Sequence, residues 1–98
     1  MLRIERSANG QVVFTLSGRM QTEDIEQFQQ LLVVETPGQQ LEFNLRYVTL
    51  VNQDAVTFLA HCEANGIELE NCPLYIRNWI DQEKRRSERR RRQKRETK

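Results

Sequence analysis

Residues 41–59 read Leu-Glu-Phe-Asn-Leu-Arg-Tyr-Val-Thr-Leu-Val-Asn-Gln-Asp-Ala-Val-Thr-Phe-Leu. Leu41, Phe43 and Leu45 alternate with polar residues, which is the two-residue period of a β-strand. A helix is predicted to start at residues 52–54, because Asp54 would place a carboxylate in the first turn, where the helix dipole favours it. The stretch therefore predicts a strand that leads directly into a helix.

This central helix has one apolar and one polar face at 100° per residue. The apolar face carries Ala55, Val56, Leu59 and Cys62. The polar face carries Asp54, Thr57, His61 and Asn65, with Phe58 on the boundary. Gly66 is typical of a helix C-terminus. The apolar face is expected to pack on a sheet and the polar face to remain accessible.

The residues before this stretch predict a hairpin followed by a helix. Leu2 and Ile4 alternate with polar residues, a tight Asn-Gly turn follows at residues 8–10, and residues 11–17 form a second strand that Gly18 breaks. Thr22 is the predicted helix N-cap. One apolar stripe follows, and Pro37-Gly38 ends the region; the stripe consists of Ile25, Phe28, Leu31 and Leu32.

The residues after the central helix predict one more strand and one more helix. Residues 67–72 form the strand, and Pro73 suits the first turn of the helix. The apolar stripe of this helix consists of Tyr75, Ile76, Trp79 and Ile80. Because Glu83 takes the next position of the stripe, burial is expected to end near Ile80.

The predicted order is β-β-α-β-α-β-α, which is an α/β fold with a small four- to five-stranded mixed sheet layered with helices. The later strands are expected to be parallel with right-handed connections, and the opening hairpin adds an antiparallel edge. Residues 1–80 form one domain, and residues 81–98 form a basic tail. The tail has ten basic and four acidic residues, and residues 1–80 have five basic and ten acidic residues.

The composition excludes several classes of function. No apolar run reaches the ~20 residues of a membrane span and the first residues lack a secretory signal, so a cytoplasmic location is expected. Two cysteines and one histidine, without metal-ligand spacing, predict no metal and no cofactor. Cys62 and Cys72 are interpreted as small buried hydrophobes. We therefore expect a protein that is not an enzyme and has no catalytic residues.

Residues 12–18, 39–59 and 66–71 together resemble the STAS domain. This is the family of bacterial anti-sigma factor antagonists, found also in sulfate transporter tails and stressosome proteins. The similarity spans residues 1–80, and it implies a regulatory module that binds a protein partner. The implied partner is an anti-sigma-type kinase, or an ATPase or transporter component, and a homodimer is left open.

The resemblance also implies where the site lies. Signalling members carry a phosphorylated Ser or Thr at the position that Asp54 occupies here, so this chain lacks the phosphorylatable residue. Amides replace frequently acidic family positions at Gln21, Asn44 and Asn52. Two interpretations of Asp54 stay open: a constitutive negative charge that imitates a phosphate, or a helix-start residue in a branch that lost regulation.

The partner-binding surface implied by the resemblance is the start of the central helix and its exposed face. Phe58 is either an interface anchor or a core residue that packs against the last helix, and His61 is interpreted as a solvated residue. The predicted partner-binding residues are Gln21, Asn44, Asn52, Gln53, Asp54, Thr57, Phe58 and His61.

The basic tail supports an alternative function, a nucleic-acid-associated adaptor. The tail is either a helical extension, supported by Asp81–Arg85 and Glu88–Arg92 pairs, or disordered. It lacks aromatic residues for base stacking and an apolar face for membrane insertion, so phosphate contact or a purely solvated role remains. The candidate contacts are Arg85, Arg86, Arg89, Arg90, Arg91, Arg92, Lys94 and Arg95.

Overall fold

The computed structural model describes residues 2–8, 10–35 and 40–96, with side chains described as far as Ser87. The predicted Asn9 turn residue and the Pro37-Gly38 breaker lie outside the described residues. The elements are β1 (Leu2–Ala8), β2 (Val12–Met20), α1 (Thr22–Val33), β3 (Leu41–Val51), α2 (Gln53–Ala64), β4 (Glu68–Glu70) and α3 (Leu74–Glu96).

The four strands form one mixed sheet in the order β1-β2-β3-β4. β1 pairs antiparallel with β2, and the β2–β3 and β3–β4 pairs are parallel. The predicted α/β class with its mixed sheet is confirmed. Both crossovers step in the same direction across the sheet, so connections of the same hand place α1 and α2 side by side on one face.

The core lies between this helical layer and the sheet. Phe28 of α1 is its centre, with ring centroids 5.6 Å from Phe14, 4.9 Å from Phe43 and 5.7 Å from Phe58. Such edge-to-face and tilted aromatic pairs add stabilisation to the burial of the rings themselves. Phe28 therefore holds α1 against both the sheet and α2.

Several predicted boundaries are wrong, each because a longer-range contact overrides the local signal. β2 continues through Gly18 to Met20. Gly18 has φ 95°, and the pairing register with β3 shifts directly after it, so the strand accommodates this backbone conformation without ending. β4 is only Glu68–Glu70, because β3 provides partners for those three residues alone. The predicted end of α2 at Gly66 is confirmed: Asn65 is the C-cap and Gly66 has φ 97°.

α3 continues without interruption from the domain into the basic tail. Burial does not end near Ile80, since Glu83 is only 7% exposed and its carboxylate accepts a hydrogen bond from Gln53 of α2. Asp81 pairs with Arg77 and not with Arg85. Of the two alternatives for the tail, the structure has the helical extension, as far as Glu96. No helix among the described residues has the length and apolar character needed to cross a membrane.

Candidate functional site

The parallel strands β2 and β3 end beside each other and bring two helix starts together. Met20 and Val51 are register partners, and the Asn52 N–H donates to the Met20 carbonyl at 3.3 Å. α1 begins two residues after Met20, and α2 begins two residues after Val51. Side chains from the first turns of both helices therefore meet at this edge of the sheet.

Three of these side chains form a directional hydrogen-bond chain, which we call the helix-entry network: Thr22, Asn52 and Asp54. The Asn52 Oδ1 caps α2 by accepting from the Ala55 N–H at 2.9 Å. This leaves the Asn52 amide nitrogen to donate to the Thr22 Oγ1 at 3.0 Å. The Thr22 hydroxyl in turn donates to the Asp54 Oδ2 at 2.7 Å, so the orientation of the carboxylate is set from α1.

The prediction that Thr22 is the N-cap of α1 is wrong, because Thr22 lies in the first turn of the helix. Gln21 is the N-cap, and its backbone N–H donates to the Asp24 carboxylate at 3.0 Å. The Thr22 hydroxyl is therefore free of a capping role and can reach Asp54, 32 residues further along the chain.

An open groove of about 660 Å³ runs between α1 and α2, beginning at the helix-entry network. Its apolar part is Ile25, which is half-buried, and Phe58, which is 8% exposed. The polar residues that line it are all exposed: Thr22, Glu26, Gln29, Asp54, Thr57 and His61. A narrow apolar strip between two polar helix faces, with carboxylates on both sides, is suited to binding an extended or helical segment of another protein.

The groove unites four of the predicted partner-binding residues: Asp54, Thr57, Phe58 and His61. Phe58 is a core residue rather than a part-exposed anchor, and its ring contacts Phe28 of α1. Asn52 and Gln21 adjoin the groove through the helix starts.

Two of the predicted residues lie elsewhere. The Gln53 amide donates to Glu83 of α3 and also to the Thr57 Oγ1 at 3.3 Å, but Gln53 itself does not line the groove. The Asn44 Oδ1 accepts from the Arg46 N–H at 3.1 Å and from the Asn71 Nδ2 at 3.2 Å, in the middle of β3. Asn44 lies eight residues before Asn52, the N-cap of α2, which is roughly 26 Å of extended strand. Asn44 is thus not part of this surface.

The α1 side of the groove is not among the predicted partner-binding residues. Thr22, Ile25, Glu26 and Gln29 recur at the three- and four-residue spacing of one helix face. That spacing was visible in the sequence, but nothing local indicates that this face adjoins α2. Only the order of the strands determines it.

The opposite side of α2 carries an ion-pair cluster. Arg77 of α3 donates to both Glu63 oxygens, at 2.6 and 2.8 Å, and also pairs with Asp81; Lys84 reaches Glu63 at 2.9 Å. Hydrogen bonding from Arg77 and Lys84 lowers the pKa of Glu63 to about 2, against the opposing effect of burial. Burial raises the pKa of the neighbouring Cys62 thiol to about 12, so it is not a thiolate at neutral pH.

A cluster of three glutamates lies on β3 and β4. Carboxylate oxygens of Glu42, Glu68 and Glu70 lie within 4.8 Å of one another, and Glu42 and Glu68 are register partners. Burial and the charges of Glu70 and Glu68 raise the pKa of Glu42. These carboxylates repel one another. Among the described residues, they form the group whose oxygens could hold a cation.

Comparison with known proteins supports the fold. No family model matches the sequence, and no curated protein matches it. Among solved structures, the chain is similar to an uncharacterized DUF3478-family protein of Shewanella loihica PV-4, described as having a SpoIIAA-like fold. The match has a TM-score of 0.50 and 15% identity, and it covers 69% of this chain and 65% of the other, slightly less than two thirds of its length. The chain therefore has a SpoIIAA-like, that is STAS-like, α/β fold.

Proposed function

We propose that this protein is a non-enzymatic regulatory module, resembling anti-sigma factor antagonists, that binds a protein partner in the groove between α1 and α2. The supporting observation is the position of Asp54. Its carboxylate is exposed at the entrance of the groove and is oriented by the Thr22 hydroxyl at 2.7 Å. A fixed charge beside a narrow apolar strip offers a partner both orientation and contact area.

Asp54 has a permanent charge where regulated members of the resembled family have a reversible one. A phosphorylated side chain carries about −1.5 to −2 charges, and an aspartate carries one. This carboxylate lies in the first turn of α2 and accepts a hydrogen bond from the Thr22 hydroxyl. The module thus carries a charge at this position that phosphorylation neither adds nor removes. Its partner is an anti-sigma-type kinase, or an ATPase or transporter component.

Site-specific photo-crosslinking tests this proposal in the full chain. A photoreactive residue at Gln29, in the groove, is expected to trap one discrete partner in the native host. The same residue at Arg3, an exposed position on β1, is the matched control. Equal crosslinking at both positions, or at neither, would argue against the groove as the binding surface.

Substitutions at Asp54 then test the role of its charge against the partner so identified. Asp54→Asn retains the shape and removes the charge, and we expect it to weaken binding by about tenfold, the scale of one exposed charge-assisted contact. Asp54→Ser restores a hydroxyl and is expected to make binding sensitive to phosphorylation. Equal affinity for the aspartate, asparagine and serine forms would show that Asp54 is only a helix-start residue.

A further inference from the structure

The last helix carries a dense block of positive charge beyond the packed domain. Eight basic residues occupy positions 85–95 of α3, against one acidic residue, Glu88. Arg85 and Arg86 are exposed and form no ion pair within the described part of the chain, while Lys84 pairs with Glu63. The exposed positive charges therefore begin at Arg85, directly after Lys84, which pairs with Glu63 of α2.

The domain anchors this charged helix at one end. Ile76 and Ile80 are fully buried, Glu83 accepts from Gln53, and Glu63 binds both Arg77 and Lys84. Four consecutive arginines repel one another, and an isolated peptide of this composition would lose its helix. Because packed residues nucleate α3, the charged segment continues a helix that is already formed and needs no new nucleation step on binding.

The spacing of the charges fits a nucleic acid duplex. Eleven helical residues rise by about 16 Å, so eight positive charges give about one per 2 Å of axis. Duplex DNA carries one negative charge per ~1.7 Å of its axis. A helix is about 10–12 Å wide, which the ~12 Å major groove of B-form DNA admits and the narrow A-form RNA groove does not.

Other polyanions fit less well. Residues 81–98 contain no apolar residue, so the helix has no face to insert into a membrane. They contain no aromatic residue either, so single-stranded bases have nothing to stack on. The domain itself is acidic, with ten acidic and five basic residues in 1–80, so attraction to phosphates is confined to α3.

We infer that the C-terminal part of α3, residues 85–95, binds the phosphate backbone of duplex DNA without sequence preference. The contact is electrostatic, and its affinity follows counterion release. Binding neutralises the repulsion among residues 89–92.

Fluorescence anisotropy of a labelled random-sequence duplex, titrated with the full chain, tests this inference. With four to eight phosphate contacts, the logarithm of the affinity is expected to fall against the logarithm of salt with a slope of about −4 to −7. Between about 50 and 200 mM salt, this is a loss of about 10²–10⁴-fold. An affinity that does not change with salt would overturn the inference.

A matched pair of quadruple variants tests which residues are responsible. Arg89→Gln, Arg90→Gln, Arg91→Gln and Arg92→Gln together keep good helix formers and remove four charges, and the slope is expected to shrink by about 3–4. The same four positions changed to Lys keep the charge and should keep the slope. Glutamine variants that bind as tightly as the native chain would overturn the inference, as would tighter binding to single-stranded RNA or phosphatidylserine vesicles than to duplex DNA.

A groove variant separates this inference from the proposed function. Asp54→Ala lies on α2, at the entrance of the groove, and is expected to leave DNA affinity unchanged. A loss of DNA affinity greater than about tenfold in this variant would show that the groove, and not α3, provides the contact.

Discussion

The two long sides of α2 are built differently. On the α3 side, Ile76 and Ile80 are fully buried, and the charged side chains of Arg77 and Glu63 form a bidentate pair at 2.6 and 2.8 Å. On the α1 side, Phe28 packs against Phe58, the helix-entry network joins the two helix starts, and an open groove lies between the two helices.

This difference indicates which side of α2 contributes more to stability and which side stays accessible to solvent. Apolar burial contributes stability in proportion to the area removed from water, and it leaves nothing exposed for a partner. The α1 side instead leaves polar groups and a strip of Ile25 accessible, held in place by a few hydrogen bonds.

The largest expected difference concerns apolar truncation. Ile80→Ala removes a fully buried side chain on the α3 side and is expected to lower the free energy of unfolding by about 2–5 kcal/mol. Ile25→Ala, on the half-buried groove side, should cost only about 1 kcal/mol because the side chain is already partly in water. Urea denaturation of both variants measures this, and equal losses would show that the two sides pack alike.

Breaking the ion-pair cluster should lower the free energy of unfolding by a smaller amount, and this amount should depend on pH. Arg77→Ala is expected to cost about 1–2 kcal/mol at neutral pH, reduced by the partial exposure of the pair. The pKa of Glu63 is lowered from 4.5 to about 2, so its contribution is present above pH 4.5 and is lost as the pH falls toward 2.

Urea denaturation of the native chain and Arg77→Ala across this pH range provides the measurement. The difference in stability between them should shrink as the pH falls from 4.5 toward 2. Arg77→Lys is the control, because it keeps a charge without the bidentate geometry and should lose less than alanine. A difference that stays constant down to pH 2 would assign the effect of Arg77 to packing.

The helix-entry network should contribute less still. Asn52→Ala removes the cap of α2 and the donor to Thr22, and is expected to cost about 1 kcal/mol. Thr22→Val leaves the cap in place and should cost only a few tenths of a kcal/mol. A double-mutant cycle on the two positions measures their coupling by denaturation, and additive losses would mean that the hydrogen bond between them contributes nothing.

The smallest effect is expected away from both sides of α2. Glu68→Gln relieves repulsion around Glu42 and should stabilise the protein by a few tenths of a kcal/mol at neutral pH. The pKa of Glu42 is raised in the folded state, so this gain should fade as the pH falls through that pKa. Thermal unfolding of the native chain and the variant at two pH values provides the measurement, and a destabilised variant would contradict the repulsion.

Much of the fold could be predicted from short-range patterns. The alternation of Leu41, Phe43 and Leu45, the first turn at Asp54 and the stop at Gly66 each depend on neighbours a few residues away, and the elements they predict are present. Boundaries that depend on a distant strand could not be predicted. β2 passes through Gly18, and β4 has only three residues, because β3 determines what each can pair with.

The candidate site divides in the same way. Asp54, Thr57 and His61 share one helix face by their spacing, and the sequence alone places them together. Their partners required the tertiary structure: Thr22 lies 32 residues before Asp54, and Glu83 lies 30 residues after Gln53. Local backbone geometry determines which residues share a face, whereas the order of strands in the sheet determines which faces meet. Contacts over such separations form only when the whole chain folds around one core.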